Sequence, residues 1–444
     1  MSEDTVFALS SPVGGAIAIV RITGSGAYAA LGRVFRCKNA PEHRVMNYGH
    51  VIDPESGETI DSAMACFLKA PATYTGEDMA EIYIHGSRVI AKRTLSVLSR
   101  FLRPAEGGEF TKRAFMNGKL DLSQAEAVMD VISSVTEQGA RMAEEQLEGS
   151  IGSGIKNIED RLIDILSGVE AALDYPDELE EDTVSSLENE LAPIIDKLDY
   201  LIRGGNAARI FREGAAVAIL GAPNAGKSSL FNALMGTERA IVTSIPGTTR
   251  DTLEETLDIC GAPVRITDTA GIREGADEAE RIGVERAKKA GERADLILIA
   301  IDGTKPIDEE SRALIAAANR GEYKKCLILF TKADKQGFGT DESCAEFAPI
   351  SISSVTGEGI EELKERMAAL LLTKEAESAL VTNSRHIYAL AEAKAALETA
   401  DAAMGTDLAA ADIRTALYAL GQITGREVTS DVIERIFSRF CVGK

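Results

Sequence analysis

The stretch 215-AAVAILGAPNAGKSSLFNAL-234 limits what this chain can fold into more than any other. An uninterrupted apolar run, AAVAIL, ends at Gly221, and a helical pattern begins at Lys227. The residues between them complete G-x-x-x-x-G-K-S. A strand that enters a glycine-rich turn and leaves as a helix is built to hold phosphate. The glycines let the backbone curl, its N–H groups converge, and the helix N-terminus adds a favourable dipole. In that frame Lys227 reaches the β and γ phosphates of a nucleotide, and the Ser228 hydroxyl binds Mg²⁺.

The residues around this loop repeat one texture. AAVAIL, PVRIT, DLILIAID, CLILF and PISIS are short runs apolar throughout, separated by helical segments across 212–373. Such alternation predicts a parallel sheet covered on both faces. Further motifs follow in order. In 268-DTAG-271, Asp268 joins the magnesium shell and the Gly271 amide meets the γ-phosphate. The segment 243-TSIPGTTRD-251 supplies a switch threonine. In 331-TKAD-334, Asp334 accepts a bidentate pair from guanine N1–H and N2–H₂, which adenine cannot match. Thr331 stands where many GTPases carry Asn, and 353-SSVTGEG-359 has Ser354 where a base loop usually has Ala. The candidate GTP contacts are Asn224, Ala225, Gly226, Lys227, Ser228 and Ser229 in the phosphate loop. The switch adds Thr243, Ser244, Ile245, Pro246, Gly247, Thr248 and Thr249, and the next motif adds Asp268, Thr269, Ala270 and Gly271. Thr331, Lys332, Ala333 and Asp334, with Ser353, Ser354 and Val355, surround the base. The set in this order specifies a GTPase, with Lys227 and Gly271 as candidate catalytic groups.

A chain of 444 residues is too long for one core. Residues 1–118 mix strand patterns (16–22, 81–86) with a helical pattern over 89–102, a small α+β domain. Residues 119–211 are helical, with Ile158, Leu162, Ile165, Leu166, Val169 and Leu173 on one face and an acidic break at 174–182. The G domain occupies 212–373, and 374–444 is again helical, so the two helical blocks are expected to pair across the insertion. The net charge of −22 repels nucleic acid on average, so an RNA substrate needs a local basic patch or a partner. Six scattered Cys and four His give no metal spacing, and no apolar run crosses a bilayer. These features predict a cytoplasmic location and no membrane partner.

Hydrolysis raises a difficulty. Many small GTPases place a water-orienting Gln after D-x-x-G, but here that residue is Ile272. Either an Arg from a partner or a monovalent cation held by the loop must stabilise the transition state. The chain as a whole resembles the MnmE (TrmE) family of tRNA-modification GTPases. The likeness rests on 74-YTGED-78, 109-EFTKRAFMNGKLDLSQAEA-127, GAPNAGKSSL, 245-IPGTTRD-251, 268-DTAGIRE-274, 277-DEAERIGVER-286 and the final FCVGK.

The resemblance implies a tetrahydrofolate-binding, dimerising N-terminal domain and a helical domain carrying an inserted P-loop G domain. It implies that Asn224 binds K⁺, with Thr243, Ile245 and Thr248 in the loop that wraps the ion. Thr249 matches the Mg²⁺-binding switch threonine, and Glu280 the residue that orients water through a bridging water. Taken without the family, Glu280 is one acid in an acidic helix. Arg21, Glu77, Lys119 and Lys444 match positions that hold the one-carbon carrier, 5,10-methylenetetrahydrofolate, or 5-formyltetrahydrofolate as its analogue. A pterin wants a carboxylate, and a glutamate tail wants Lys or Arg. Relatives tend to carry an Arg in a Gly-rich turn that reads SSPVGGAIAI here. Cys441 matches a cysteine linked to the modification chemistry. The implied partners are a second copy of the chain, tRNA, and an MnmG-type FAD/NADH protein in a hetero-oligomer. This chain has no G-x-G-x-x-G site, so flavin chemistry belongs to that partner. The implied reaction installs an aminomethyl or carboxymethylaminomethyl group at C5 of the tRNA wobble uridine. A ribosome-assembly GTPase would leave residues 1–118 and FCVGK without a role. A pure switch would have a folate pocket that binds nothing.

Overall fold

In the computed structural model, residues 4–237, 256–267, 294–377, 379–401 and 405–444 are described. The described residues fall into two compact units. One contains the residues up to Met129, Leu147–Glu159 and Tyr418–Lys444; the other contains Asp130–Gln146 and Asp160–Leu417.

The first unit is built on a seven-stranded sheet. Its strands are β1 (Val6–Leu9), β2 (Ile17–Thr23), β3 (Phe35–Cys37), β4 (Met46–Ile52), β5 (Thr59–Leu68), β6 (Met79–His85) and β7 (Arg103–Pro104), in the order β3-β4-β5-β6-β2-β1-β7. Neighbours are antiparallel except β1 and β7. Strand alternation sends Ala18, Val20, Ile82 and Ile84 inward, where helices α1 (Ala27–Val34) and α2 (Arg88–Leu98) cover them with Leu31, Ala91 and Leu98. The helical pattern over 89–102 stops at Leu98 because Arg103 and Pro104 pair with Val6 and Phe7, so the chain must leave the helix first. Helices α3 (Glu109–Met116) and α4 (Leu122–Ser133) follow, and Leu122, Phe437 and Phe440 form a separate apolar cluster. Truncating a fully buried side chain such as Phe110 to Ala would cost about 3–5 kcal/mol.

Helices α5 (Glu137–Leu147), α6 (Ser150–Asp174) and α7 (Pro176–Glu213) continue the chain. The acidic break expected at 174–182 is a single residue: α6 ends at Asp174, Tyr175 is the N-cap, and α7 starts with Pro176. Proline suits a first helical position, where its missing N–H costs nothing. On α6, Ile158, Leu162 and Val169 are buried as expected, while Leu173 is exposed and Ala172 turns inward in its place. In the second unit, α7 packs on the helix Ser384–Thr399, with Lys394 Nζ 2.7 Å from Asp199 Oδ1. None of the described helices is long and apolar enough to cross a membrane.

The second sheet holds β8 (Ala215–Leu220), β9 (Thr256–Ile259), β10 (Ala262–Thr267), β11 (Leu296–Asp302), β12 (Cys326–Thr331) and β13 (Ile350–Ile352), in the order β13-β12-β11-β8-β10-β9. All pairs are parallel except β9–β10. One face packs Val217, Leu298 and Leu329 on the helices α8 (Lys227–Thr237) and Ile360–Leu371; the other buries Ile299, Ile328 and Phe330. The chain is thus multidomain: an α+β N-terminal domain, a helical domain and an α/β P-loop G domain.

Candidate functional site

Because β8, β11, β12 and β13 are parallel neighbours, the segments leaving their carboxyl ends line one edge of the sheet. That edge is where open α/β sheets bind ligands. It carries the phosphate loop after β8, Asp302 at the end of β11, 331–334 from the end of β12, and 353–355 after β13.

The loop geometry follows from its residues. Gly221 has φ +151, and a Cβ there would lie 2.2 Å from the Ala300 carbonyl oxygen, so only glycine lets the loop leave β8 this close to β11. Asn224 sits at φ +62, a left-handed conformation that Asn tolerates better than most residues, and it is exposed. Lys227 opens α8 and its Nζ donates to the carbonyls of Gly221 (2.6 Å) and Ala222 (2.9 Å). Ser228 and Ser229 are exposed in the first turn of that helix, and Ala225 is buried.

Thr331 is 2% exposed, and its hydroxyl lies 2.7 Å from the Ala225 carbonyl and 3.1 Å from that of Ile301. The side chain at the first position of 331-TKAD-334 therefore ties β12 to the phosphate loop. Lys332, at φ +66, donates to Asp302 Oδ2 at 2.6 Å. Burial pushes the Asp302 carboxyl up, but the Lys332 ammonium and the Thr304 hydroxyl and amide outweigh it and hold the group at about 2. Asp334 is exposed, and its Oδ1 accepts from the buried Ser353 hydroxyl at 2.6 Å. That bond is the main cause holding the Asp334 carboxyl below its ordinary range. The Ser353 Oγ also accepts from the amides of Val355 (3.3 Å) and Thr356 (3.1 Å), and Ala333 N donates to Ile352 O, so one hydroxyl ties the loop after β12 to the loop after β13. Ser354 is half-buried and Val355 is 83% exposed.

Thr243, Ser244, Ile245, Pro246, Gly247, Thr248, Thr249, Asp268, Thr269, Ala270, Gly271 and Glu280 lie outside the described residues. Asp302 and the linking role of Ser353 were not anticipated. Only the position of Asp302, at the end of an apolar strand beside the loop strand, signalled it.

In the first unit, Arg21 projects from the outer face of β2 and its Nε donates to Glu81 Oε1 at 2.7 Å. Glu77 Oε2 accepts from Thr23 Oγ1 (3.1 Å) and from Arg113 Nη1 (3.0 Å). The stem of Lys119 runs beside Gly76, and its Nζ donates to the Pro71 carbonyl at 3.2 Å. The terminal segment docks here too. Gly108 N donates to Cys441 O, Phe110 N donates to Lys444 O, and Val442 bridges Gly107. A Cβ on Gly443 would lie 2.5 Å from Leu9 O, so the approach of this segment to β1 requires glycine. Cys441 is half-buried and is a free thiol. Burial, and then repulsion from the neighbouring Arg21 guanidinium, hold the Lys444 ammonium below the usual lysine range. Arg21 and Lys444, 423 positions apart by number (444 − 21), are thus electrostatic neighbours. A cavity of about 770 Å³ opens nearby, with Glu77, Lys112, Met116, Asn117 and Phe437 in its wall. Sequence reasoning missed Arg113, although Glu109 and Arg113 stand four apart on one helix, the spacing of a helical ion pair.

Residues 5–119 match the family model described as "GTP-binding protein TrmE N-terminus", and residues 122–441 match that of the MnmE helical domain. The chain is 39% identical to the tRNA modification GTPase MnmE of Natranaerobius thermophilus over 461 aligned positions, covering 100% of each chain. It is 42% identical to that of Geobacillus kaustophilus, covering 99% of each. With that of Acetivibrio thermocellus it shares 41%, covering 100% of this chain and 99% of the other. Two family models laid end to end, and relatives this similar over the whole length, mean that the chain belongs to the MnmE family of tRNA modification GTPases.

Proposed function

We propose that this chain is a potassium-activated GTPase acting in the cytoplasm. With an MnmG-type flavoprotein, it installs an aminomethyl or carboxymethylaminomethyl group at C5 of the tRNA wobble uridine, the methylene coming from a tetrahydrofolate one-carbon unit and the amine from ammonium or glycine. The observation that carries the GTPase half is the alignment of the phosphate loop, 331–334 and 353–355 along the carboxyl edge of one parallel sheet. In this reading Lys227 and the Gly271 amide hold the γ-phosphate, and Asp334 accepts from guanine. Ser228 and Thr249 would hold Mg²⁺, with Asp268 in its shell. The exposed Ser228 in the first turn of α8 suits that role. Asn224, Thr243, Ile245 and Thr248 would hold K⁺. The exposed, left-handed Asn224 at the loop supports its membership of that set. Bound there, the ion supplies positive charge where an arginine finger otherwise would. Glu280 orients the attacking water.

The folate half is supported by the paired cations Arg21 and Lys444, by Glu77 with Oε2 already anchored, and by Lys119 beside Gly76. These groups match a pterin edge and a glutamate tail. Cys441, on the same docked segment, takes part in the modification chemistry. The reading divides the chain into 1–118, 119–211, 212–373 and 374–444. A homodimer is supported by the outer face of the first sheet, where Tyr48, Met64, Tyr83 and Ile19 form one row across four strands. Tyr48 is 69% exposed and Met64 45%, and an open apolar row of this kind favours a partner.

The test is reconstitution. The purified chain is combined with the flavoprotein, unmodified tRNA, GTP, NADH, methylene-labelled tetrahydrofolate and either ammonium or glycine in KCl. Label in the wobble uridine is the expected result. Absence of label, with GTP hydrolysis intact, would remove the folate half of the reading.

A further inference from the structure

Arg113 is a buried and fully engaged cation of the first unit. Its side chain is 7% exposed. A guanidinium has five N–H donors, and here each of them has an acceptor. Nε donates to Glu109 Oε1 at 3.3 Å. Nη1 donates to the Asp4 carbonyl and to Glu77 Oε2, both at 3.0 Å. Nη2 donates to Asp4 Oδ1 at 3.0 Å and to Glu109 Oε1 at 2.7 Å. Arg103 closes the ring from the far side, bonded to Asp4 and Glu109. Two cations thus serve three carboxylates, and Arg113 is the cation of the pair that bonds Glu77.

The consequence for Glu77 is directional. Both side-chain bonds to it, from Arg113 and from Thr23, end on Oε2. Among the described residues nothing bonds Oε1. The carboxylate is therefore pinned by one oxygen and presents the other, and it also stands in the wall of the 770 Å³ cavity. A planar ligand edge that donates an N–H needs an acceptor oxygen whose carboxylate plane is fixed before binding, because a rotating one loses entropy on each encounter.

We propose that Arg113 is a positioning residue for the folate, acting through Glu77: it fixes the carboxylate that receives the pterin N–H edge. The proposal rests on the folate reading above. It separates Arg113 from Arg21, Lys119 and Lys444, which would meet the ligand themselves.

The test is a double-mutant cycle on the full chain. Binding of 5-formyltetrahydrofolate is measured by calorimetry for the wild type, Glu77→Gln, Arg113→Met, Arg113→Lys and the double variant Glu77→Gln with Arg113→Met. Arg113→Met should weaken binding roughly tenfold or more, as loss of a charge-assisted bond does. The double variant should bind no more weakly than Glu77→Gln alone, because the carboxylate that Arg113 holds for the ligand is already gone. Arg113→Lys keeps the charge but not the five-donor fork, so it should also weaken binding; it carries the test if the Met variant does not fold. Additive losses in the double variant would overturn the proposal, since a merely structural Arg113 acts independently of Glu77. Full affinity in Arg113→Lys and Arg113→Met alongside a weakened Glu77→Gln would overturn it while leaving the folate reading intact. A wild type that does not bind would overturn both.

Discussion

The two sites of this molecule are assembled in opposite ways. The nucleotide edge uses backbone: a loop, two turns and a helix N-terminus, each contiguous in sequence and brought together by neighbouring parallel strands. The folate candidate uses side-chain charge gathered from β2, the 74–78 turn, the segment after α3 and the last residue of the chain. A backbone site survives many substitutions but fails when the loop cannot curl. A charge site depends on each member and on the cation that bonds it, here Arg113 on Glu77. The first kind announces itself as a motif, and the second exists only once distant segments meet.

That contrast can be broken or sharpened by experiment. The largest effect is expected from Lys227→Ala, which should lower GTP hydrolysis by about 100-fold or more while folate affinity changes less than about twofold. A parallel loss of folate binding would break the separation. Next, hydrolysis by the wild type should run roughly tenfold or more faster in KCl than in NaCl, and Asn224→Ala should erase the difference. Equal rates in both salts would refute the ion-binding role. Thr331→Val removes the tie to the Ala225 carbonyl. It should cost about 1 kcal/mol in denaturant melts and weaken GDP binding about fivefold. Unchanged GDP affinity would mean that the tie does not shape the loop.

The smallest effect concerns acid. Asp302 is depressed in the folded protein from the ordinary 3.8 to about 2. A depressed carboxylate stabilises the fold above its unfolded value, and this contribution is lost as the pH falls from about 4 to about 2. Lys332→Met should therefore flatten that part of the acid-unfolding curve. An unaltered acid limb would show that the Lys332–Asp302 pair contributes nothing there.

The parts of the fold legible in sequence were those with strong local patterns. The five apolar runs of the G domain are all strands, and their parallel pairing follows from burial on both faces. The edge strand β9 escaped notice because TLDI has four residues and alternating burial. The short break before Pro176 was overread because acidic residues after a proline suit a helix start as well as a loop. At the candidate base site, Asp334 and Ser353 were separately visible, but their 2.6 Å bond was not, since nothing in sequence says that β12 and β13 are neighbours. Thr331 was grouped with the residues around the base, whereas its buried hydroxyl bonds the phosphate loop. Arg113 was hidden for a similar reason: its pairing with Glu109 is local, but Asp4 and Glu77 reach it through the sheet.

The central claim is that the G domain and the proposed folate site serve one tRNA modification. A mass-spectrometric nucleoside profile of bulk tRNA from cells with and without this gene tests it most directly. The account predicts loss of the C5-aminomethyl-type wobble uridines on deletion, restored by the wild-type copy and not by Asp268→Ala. An unchanged profile, with ribosomal RNA precursors accumulating instead, would contradict it.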